Sequence, residues 1–323
     1  MNIIGIDIGG TKCAVTYGKV NNDESIEIVD KVKFDTTSVD DTINNLLETT
    51  SAIMQKHGLD SGNTSAIGIS CGGPLDSKKG VIMSPPNLPG WDNIPIVEYF
   101  EKRFGVKTAM QNDANACALA EWKFGAARGY NNVIFMTFGT GMGAGLILDG
   151  RLYAGTNDNA GEVGHIRLEK TGPVGYGKAG SFEGFCSGGG IAQMARVRVM
   201  EKLQMGETVT FCNNLNELDT VTAKTVAEAA ASGDPLAREI YRECAHYLGK
   251  ALSIIIDVLN PEIIVLGSIY CRAQSLIEPA MQEVIDRETI IHTRKVCKIV
   301  PAGLGESIGD YAALSVAVNA LIQ

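Results

Sequence analysis

The stretch IIGIDIGGTKCAVTYG, residues 3–18, places two apolar runs, Ile3–Ile8 and Cys13–Tyr17, on either side of the turn Gly9-Gly10-Thr11-Lys12. The same plan returns as VIFMTFGTGMGAGLIL, residues 133–148, with a strand at Asn132–Phe138, glycines over Gly139–Gly145, and a second strand starting at Leu146-Ile147-Leu148. Two copies of strand, Gly/Thr turn, strand read as an internal duplication at the level of structure. Glycine lets backbone amides approach an anion closely, and Thr adds a hydroxyl donor. Two such turns are candidates for holding the phosphates of one nucleotide from both sides, with a plain structural hairpin as the other reading of each. Neither is a Walker A loop, because Gly9-Gly10-Thr11-Lys12 leads into a strand. A dinucleotide fingerprint also fails at Gly139-Thr140-Gly141-Met142-Gly143, which an apolar strand follows where that motif needs a helix.

Outward from the first copy, Ile26–Phe34 reads as a third strand. Asp40–His57 carries Ile43, Leu46, Leu47, Ile53 and Met54 at helical spacing. Ala66–Ser70 is a short buried strand feeding Gly72-Gly73-Pro74, so the order is β-β-β-α-β, and a helix over Asp113–Phe124 precedes the second copy. The carboxyl half is mostly helical, at Ile191–Lys202, Val221–Ser232, Pro235–Leu259 and Ile308–Leu321, interrupted by the apolar strand Glu262–Leu266. With 323 residues the chain is expected to form two units: a small α/β lobe at 1–118, onto which the helix 306–323 packs back, and a large α/β lobe at 119–305.

A composition of 45% hydrophobic and 20% charged residues, without an apolar run near the ~18 residues of a membrane span, points to a soluble globular protein. No basic n-region precedes the first strand, so the expected location is cytoplasmic. A formal net charge of -9 and the lack of a Lys/Arg cluster argue against a nucleic-acid surface. The eight cysteines are scattered without a C-x-x-C pair, which fits reduced thiols better than disulfides. Asn63-Thr64-Ser65 is read as a chance match to a glycosylation sequon.

Four places carry candidate chemistry. Asp7 ends the first strand; it either caps the turn or holds a hydrated Mg²⁺ beside the phosphates. In Asn112-Asp113-Ala114-Asn115, either of the first two residues suits a helix cap, and Asp113 suits a general base. Those two jobs are compatible. GHIRLEKTGPVGYGKAGSFEG, residues 164–184, holds one of only four histidines, with four glycines between it and Glu183. By itself that loop could take a metal, a phosphate or a small molecule, or simply cross between elements. Asn87, before Leu88-Pro89-Gly90-Trp91, is either turn chemistry or a ligand contact.

The blocks GIDIGGTK, GISCGGPLD, PNLPGW, QNDANACALAEWKFGAARG, FGTGMGAGLILDGRLYAGTNDNAGEVGH and NPEIIVLGS resemble, in order and spacing, the ROK family of sugar kinases, repressors and related proteins, from residue 3 to about residue 310. That family belongs to the hexokinase/Hsp70/actin superfamily. The resemblance implies an α/β, two-lobed actin-like ATPase (ribonuclease H-like) fold in which ATP-Mg²⁺ and a hexose meet in the inter-lobe cleft. It implies ATP and phosphate contacts at Asp7, Gly9, Gly10, Thr11 and Lys12, at Gly139, Thr140, Gly141 and Gly143, and at Gly267 and Ser268. Asp7 holds Mg²⁺ through water, and Ser268 stands where the family usually has a second glycine. Asp113 becomes the catalytic base, and Asn87, Asn112, Asp113, Glu162, His165 and Glu183 become sugar contacts, since carboxylates accept two hydrogen bonds from neighbouring hydroxyls.

The expected activity is ATP-dependent phosphorylation of the 6-hydroxyl of glucose or a close relative. N-acetylmannosamine or another N-acetylhexosamine, and fructose, are alternative substrates. A sugar-sensing ROK regulator is the alternative of a different class. A homo-dimer or tetramer is expected, with no nucleic-acid or membrane partner. Many members bind a structural zinc through the histidine and three cysteines; the matching positions here are Val174, Tyr176 and Ser181, so no zinc site is expected. In its place, packing around Pro173 and Tyr176 is expected to hold the loop.

Overall fold

The computed structural model describes residues 1–322. In chain order the first elements are β1 (Asn2–Ile8), β2 (Lys12–Val20), β3 (Ile26–Asp35), α1 (Val39–Lys56), β4 (Thr64–Cys71), β5 (Leu75–Asp76), β6 (Val81–Ile82), α2 (Ile96–Phe104), β7 (Thr108–Asn112) and α3 (Asp113–Phe124). There follow β8 (Val133–Phe138), β9 (Met142–Leu148), β10 (Arg151–Leu152), β11 (Val174–Gly175), β12 (Lys178–Ala179), α4 (Phe182–Phe185), α5 (Gly188–Gln204), α6 (Ala223–Ala231) and α7 (Pro235–Leu259). The last are β13 (Ile263–Leu266), α8 (Ile269–Glu288), α9 (Ile291–Val296), β14 (Lys298–Pro301) and α10 (Ile308–Ile322).

The two main sheets have the orders β3-β2-β1-β4-β7 and β10-β9-β8-β13-β14. In the first, β1 is antiparallel to β2 and parallel to β4, which is parallel to β7. In the second, β8 is parallel to β13 and β13 to β14, while β9 and β10 are antiparallel. The duplication legible in the sequence is therefore a duplication of sheet order. The chain divides into two compact units, the first holding Met1–Asn131, Gly145–Ala160 and the C-terminal stretch from Gly303, the second Asn132–Ala144 and Gly161–Ala302. The division falls within β9.

In unit 1, Ile4, Ile6, Ile8, Ile67 and Ile69 of the central strands pack with Leu46, Ile53 and Met54 of α1, all buried. Complete burial of such side chains is worth roughly 1.5–3 kcal/mol each. Ser38 starts α1 by accepting the Asp41 N–H. The alanine-rich α10 reaches the sheet because glycine meets it there. A Cβ on Gly68 would lie 2.2 Å from the Ala313 carbonyl oxygen, and one on Gly5 3.0 Å from the Leu314 nitrogen. Any side chain at Gly68 would push the helix off β4.

The expected glycine turn at Gly139–Gly145 is shorter in the structure, because β9 already begins at Met142. Gly145 serves packing: its Cβ would meet the Ala114 carbonyl oxygen at 2.4 Å, so α3 lies directly on the strand. The helix α8 escapes a reading by periodicity because Pro279 interrupts it and Ala273 (φ -123°) kinks it. The strand β7, TAMQN, is too short and too polar to announce itself. Among the described residues no helix is long and apolar enough to cross a membrane.

Candidate active site

In unit 1 the parallel strands β1, β4 and β7 end side by side, with Ile8 opposite Cys71 and Cys71 opposite Asn112. Ligands of open α/β sheets gather at such carboxyl ends. Asp7, the Gly72-Gly73 loop and Asp113 all arrive there. The first glycine turn closes through the Gly9 N–H donating to the Lys12 carbonyl at 3.1 Å, and the Thr36 hydroxyl donates to the Gly9 carbonyl at 2.6 Å. Lys12 itself is exposed at the start of β2. Asn87 sits against this turn: a Cβ on Gly10 would lie 2.3 Å from its carbonyl oxygen, and one on Gly72 3.0 Å from its side-chain oxygen. Burial of Leu88 and Trp91 anchors that loop.

Asp113 opens α3 with no residue between strand and helix. Asn112 is the cap, its Oδ1 accepting the Asn115 N–H at 2.8 Å, while Asp113 Oδ1 accepts from Ala114 N–H at 2.8 Å. The Asp113 carboxylate keeps solvent access but is crowded by protein, and that desolvation raises its pKa against the Ala114 and Asp113 backbone donors. Asp7 is pushed up to about 6, first by burial, then by the negative charges of Asp310 and Asp113, with Lys31 and Lys33 opposing. Asp310, which pairs with Lys31, was invisible in the sequence as a neighbour of Asp7, because it comes from the start of α10. Carboxylates that repel one another and are partly desolvated suit a hard divalent cation with oxygen ligands. Among the described residues no group of three His, Cys, Asp or Glu side chains is close enough to chelate an ion directly.

In unit 2 the second turn is built of the same parts. Gly139 N–H donates to the Gly141 carbonyl at 3.1 Å, and the Thr137 hydroxyl accepts the Gly143 N–H at 2.9 Å. Glu183 joins this turn, since its Oε2 accepts the Met142 N–H at 3.0 Å and would meet a Cβ on Gly141 at 2.9 Å. Glu162 and His165 are exposed beside it, on a segment laid along β9 by Gly161 (φ +91°) and Gly164, where any Cβ would strike the carbonyls of Ala144 and Met142. The structure thus brings Glu162, His165 and Glu183 to the second turn.

The loop between His165 and Glu183 is held by its backbone. Gln193 clamps Val174 with two hydrogen bonds, of 3.0 and 2.8 Å, and the Gly180 N–H donates to the Pro173 carbonyl. The sequence-based expectation that Tyr176 holds the loop by packing is not met: Tyr176 is 72% exposed, with its ring edge-on to that of His165 at 6.2 Å between centroids. Ser181 caps α4 by accepting the Gly184 N–H. Val174, Tyr176 and Ser181 offer no thiolate, so these residues do not fit a tetrahedral zinc.

Beside the second turn lies a cavity of about 780 Å³, lined in part by Gly139, Thr140, Ser268, Arg272, Thr222 and Tyr241. That is within the range of small-molecule and cofactor sites. Gly267 follows β13 directly, and a Cβ on it would lie 3.2 Å from the Phe135 ring. Ser268 adopts φ +49°, a conformation that favours glycine, and its hydroxyl accepts from Arg272 at 3.0 Å. Thr222, Tyr241 and Arg272 carry no motif and were not legible as pocket residues.

A duplicated sheet plan with a glycine turn at the end of the first strand of each copy defines an actin-like ATPase fold. The chain belongs to the ROK family, whose pattern matches residues 3–319. A glucokinase of Thermotoga maritima is 32% identical over 291 residues, covering 88% of each chain. A ROK family transcriptional regulator, homologous to the MLC protein of Escherichia coli, superposes with a TM-score of 0.85 at 25% identity, over 99% of this chain and 78% of its own. The ROK glucokinase of Streptomyces griseus, solved with glucose and AMPPNP, gives a TM-score of 0.74 at 28% identity, over 98% of this chain and 99% of its own.

Proposed function

We propose that the protein is an ATP-dependent hexose kinase that phosphorylates the 6-hydroxyl of glucose or a closely related sugar. The observation that carries this reading is the Asp113 carboxylate, locked by the cap of α3 and raised in pKa, at the same end of the sheet as Asp7 and the first glycine turn. Similarity to glucokinases over nearly the whole chain supports it.

Phosphoryl transfer asks mostly for positioning and charge neutralisation. Asp113 orients the sugar hydroxyl and accepts its proton; a pKa raised toward neutrality makes it a better base. The amides of Gly9, Gly10 and Thr11, with Lys12, and of Gly139, Thr140, Gly141 and Gly143 bind the phosphates. Gly267 and Ser268 face the adenosine. Mg²⁺ when bound neutralises phosphate charge, and Asp7 is the residue to hold it through water. Asn87, Asn112, Glu162, His165 and Glu183 bind the sugar hydroxyls. No zinc is part of the fold, and elemental analysis of chelator-free protein checks this; stoichiometric zinc is the contrary result. A homo-dimer or tetramer is the expected assembly, measured by sedimentation.

The similarity to a transcriptional regulator favours a second reading, a sugar sensor. ADP release with a panel of glucose, mannose, fructose, N-acetylglucosamine and N-acetylmannosamine decides between them. Turnover with one hexose well above the rest supports the kinase. Binding of a sugar without turnover of any supports the sensor.

A further inference from the structure

We propose that Asp158 and Ser77 form a latch that positions Asn112, and through it sets the affinity for the sugar. The inference rests on the kinase reading above. All the residues involved belong to unit 1.

Asp158 is not a glycine, yet it adopts φ +61°. Left-handed backbone is costly for residues with a Cβ, and Asp tolerates it mainly where its side chain finds a local or tertiary partner. That partner here is 81 residues away: Asp158 Oδ2 accepts the Ser77 N–H at 2.7 Å, and Oδ1 accepts the Ser77 hydroxyl proton at 2.7 Å. Both oxygens of one carboxylate are thus spent on a single residue, in a two-point grip that fixes the direction of the Asp158 peptide.

The consequence falls on the neighbouring carbonyl. The Asp158 carbonyl oxygen accepts the Asn112 Nδ2–H at 3.4 Å. Asn112 is meanwhile held at its other end, where Oδ1 caps α3. An amide gripped on both sides has one orientation, with oxygen toward the helix and nitrogen toward Asp158. Its second Nδ2–H remains the available donor toward a sugar oxygen. Asp113 has its own restraint, the Ala114 N–H, which does not depend on the latch. Loss of the latch therefore loosens the nitrogen end of the Asn112 amide, its oxygen staying on the α3 cap, while leaving the base in place, and it acts on KM for the sugar rather than on kcat.

Asp158→Gly is the informative variant, because glycine takes positive φ without strain, removes the grip and leaves the backbone that aims the Asp158 carbonyl free to turn. The expected result is a sugar KM raised about tenfold, equivalent to ~1.4 kcal/mol, with kcat and nucleotide KM within about twofold of wild type. Asp158→Asn, which keeps one acceptor for Ser77, restores most of the affinity, and Ser77→Ala, which keeps the backbone N–H, falls between. A merely structural latch leaves the sugar KM in place or moves all three constants together, and either outcome overturns the proposal. If Asp158→Gly fails to fold, Ser77→Ala and Asp158→Asn decide by the same split. Wild-type protein that turns over no sugar removes the kinase reading and this inference with it; turnover in wild type with an unchanged variant KM removes the inference alone.

Discussion

Glu121, fully buried on α3, offers the sharpest test of how the helix that carries Asp113 is held. Its Oε2 accepts the Ala126 and Gly303 N–H groups at 2.7 and 3.1 Å, and its Oε1 accepts the Leu304 N–H at 2.9 Å. One carboxylate thereby ties α3 to the segment entering α10. In Glu121→Gln the best orientation keeps the oxygen on Ala126 and Gly303 and turns the amide NH₂ against the Leu304 N–H. One charge-assisted bond is lost and one buried donor is left facing another, about 2–3 kcal/mol. Glu121→Ala removes both acceptor oxygens and with them all three bonds, about 4–6 kcal/mol on the same scale. Urea unfolding followed by tryptophan fluorescence reads this directly, because Trp91 and Trp122 both lie in unit 1 with Glu121. A Glu121→Gln variant within about 0.5 kcal/mol of wild type would refute the idea that three N–H groups depend on the charge.

A pKa raised on folding weakens the fold wherever the unfolded chain is already ionised. For Asp7 the penalty is absent below pH 3.8, grows as pH climbs from 3.8 to about 6, and is complete above that. Asp7→Asn should therefore match wild type near pH 3.5 and exceed it by roughly 1–2 kcal/mol at pH 8, after a discount for partial exposure; equal stabilities at pH 8 count against the shift. Asp113→Asn should lower kcat by roughly 10²–10⁴ while calorimetry still finds sugar binding, and near wild-type turnover would remove the base. Ser268→Gly relieves left-handed backbone and should gain about 0.5–1 kcal/mol with sugar KM unchanged; a lower thermal midpoint contradicts that account.

Both glycine turns, the strands around them and the helix at Asp113 were legible because each depends on residues adjacent in the chain. Turn chemistry, alternation and capping act over a few residues, and the repeat of one pattern at residues 3–18 and 133–148 announced the shared sheet order. The loop from Gly164 to Gly184 was harder. Its glycines suggested ligand binding by their number, but Gly164 and Gly180 are there because backbone from β9 and from Glu169 lies where a Cβ would go. Gly145, read as part of a turn, proved to be strand for the same reason.

Local chemistry in the sequence determined which residues turn, cap and strand, and so the plan of each half. Only the tertiary structure decided what those parts touch. Asp310 charging the surroundings of Asp7, Ser77 gripping Asp158 and Glu121 holding Gly303 join positions far apart in the chain. No periodicity records such pairs, because the energy of each exists only once the packed backbone has brought donor and acceptor to about 3 Å.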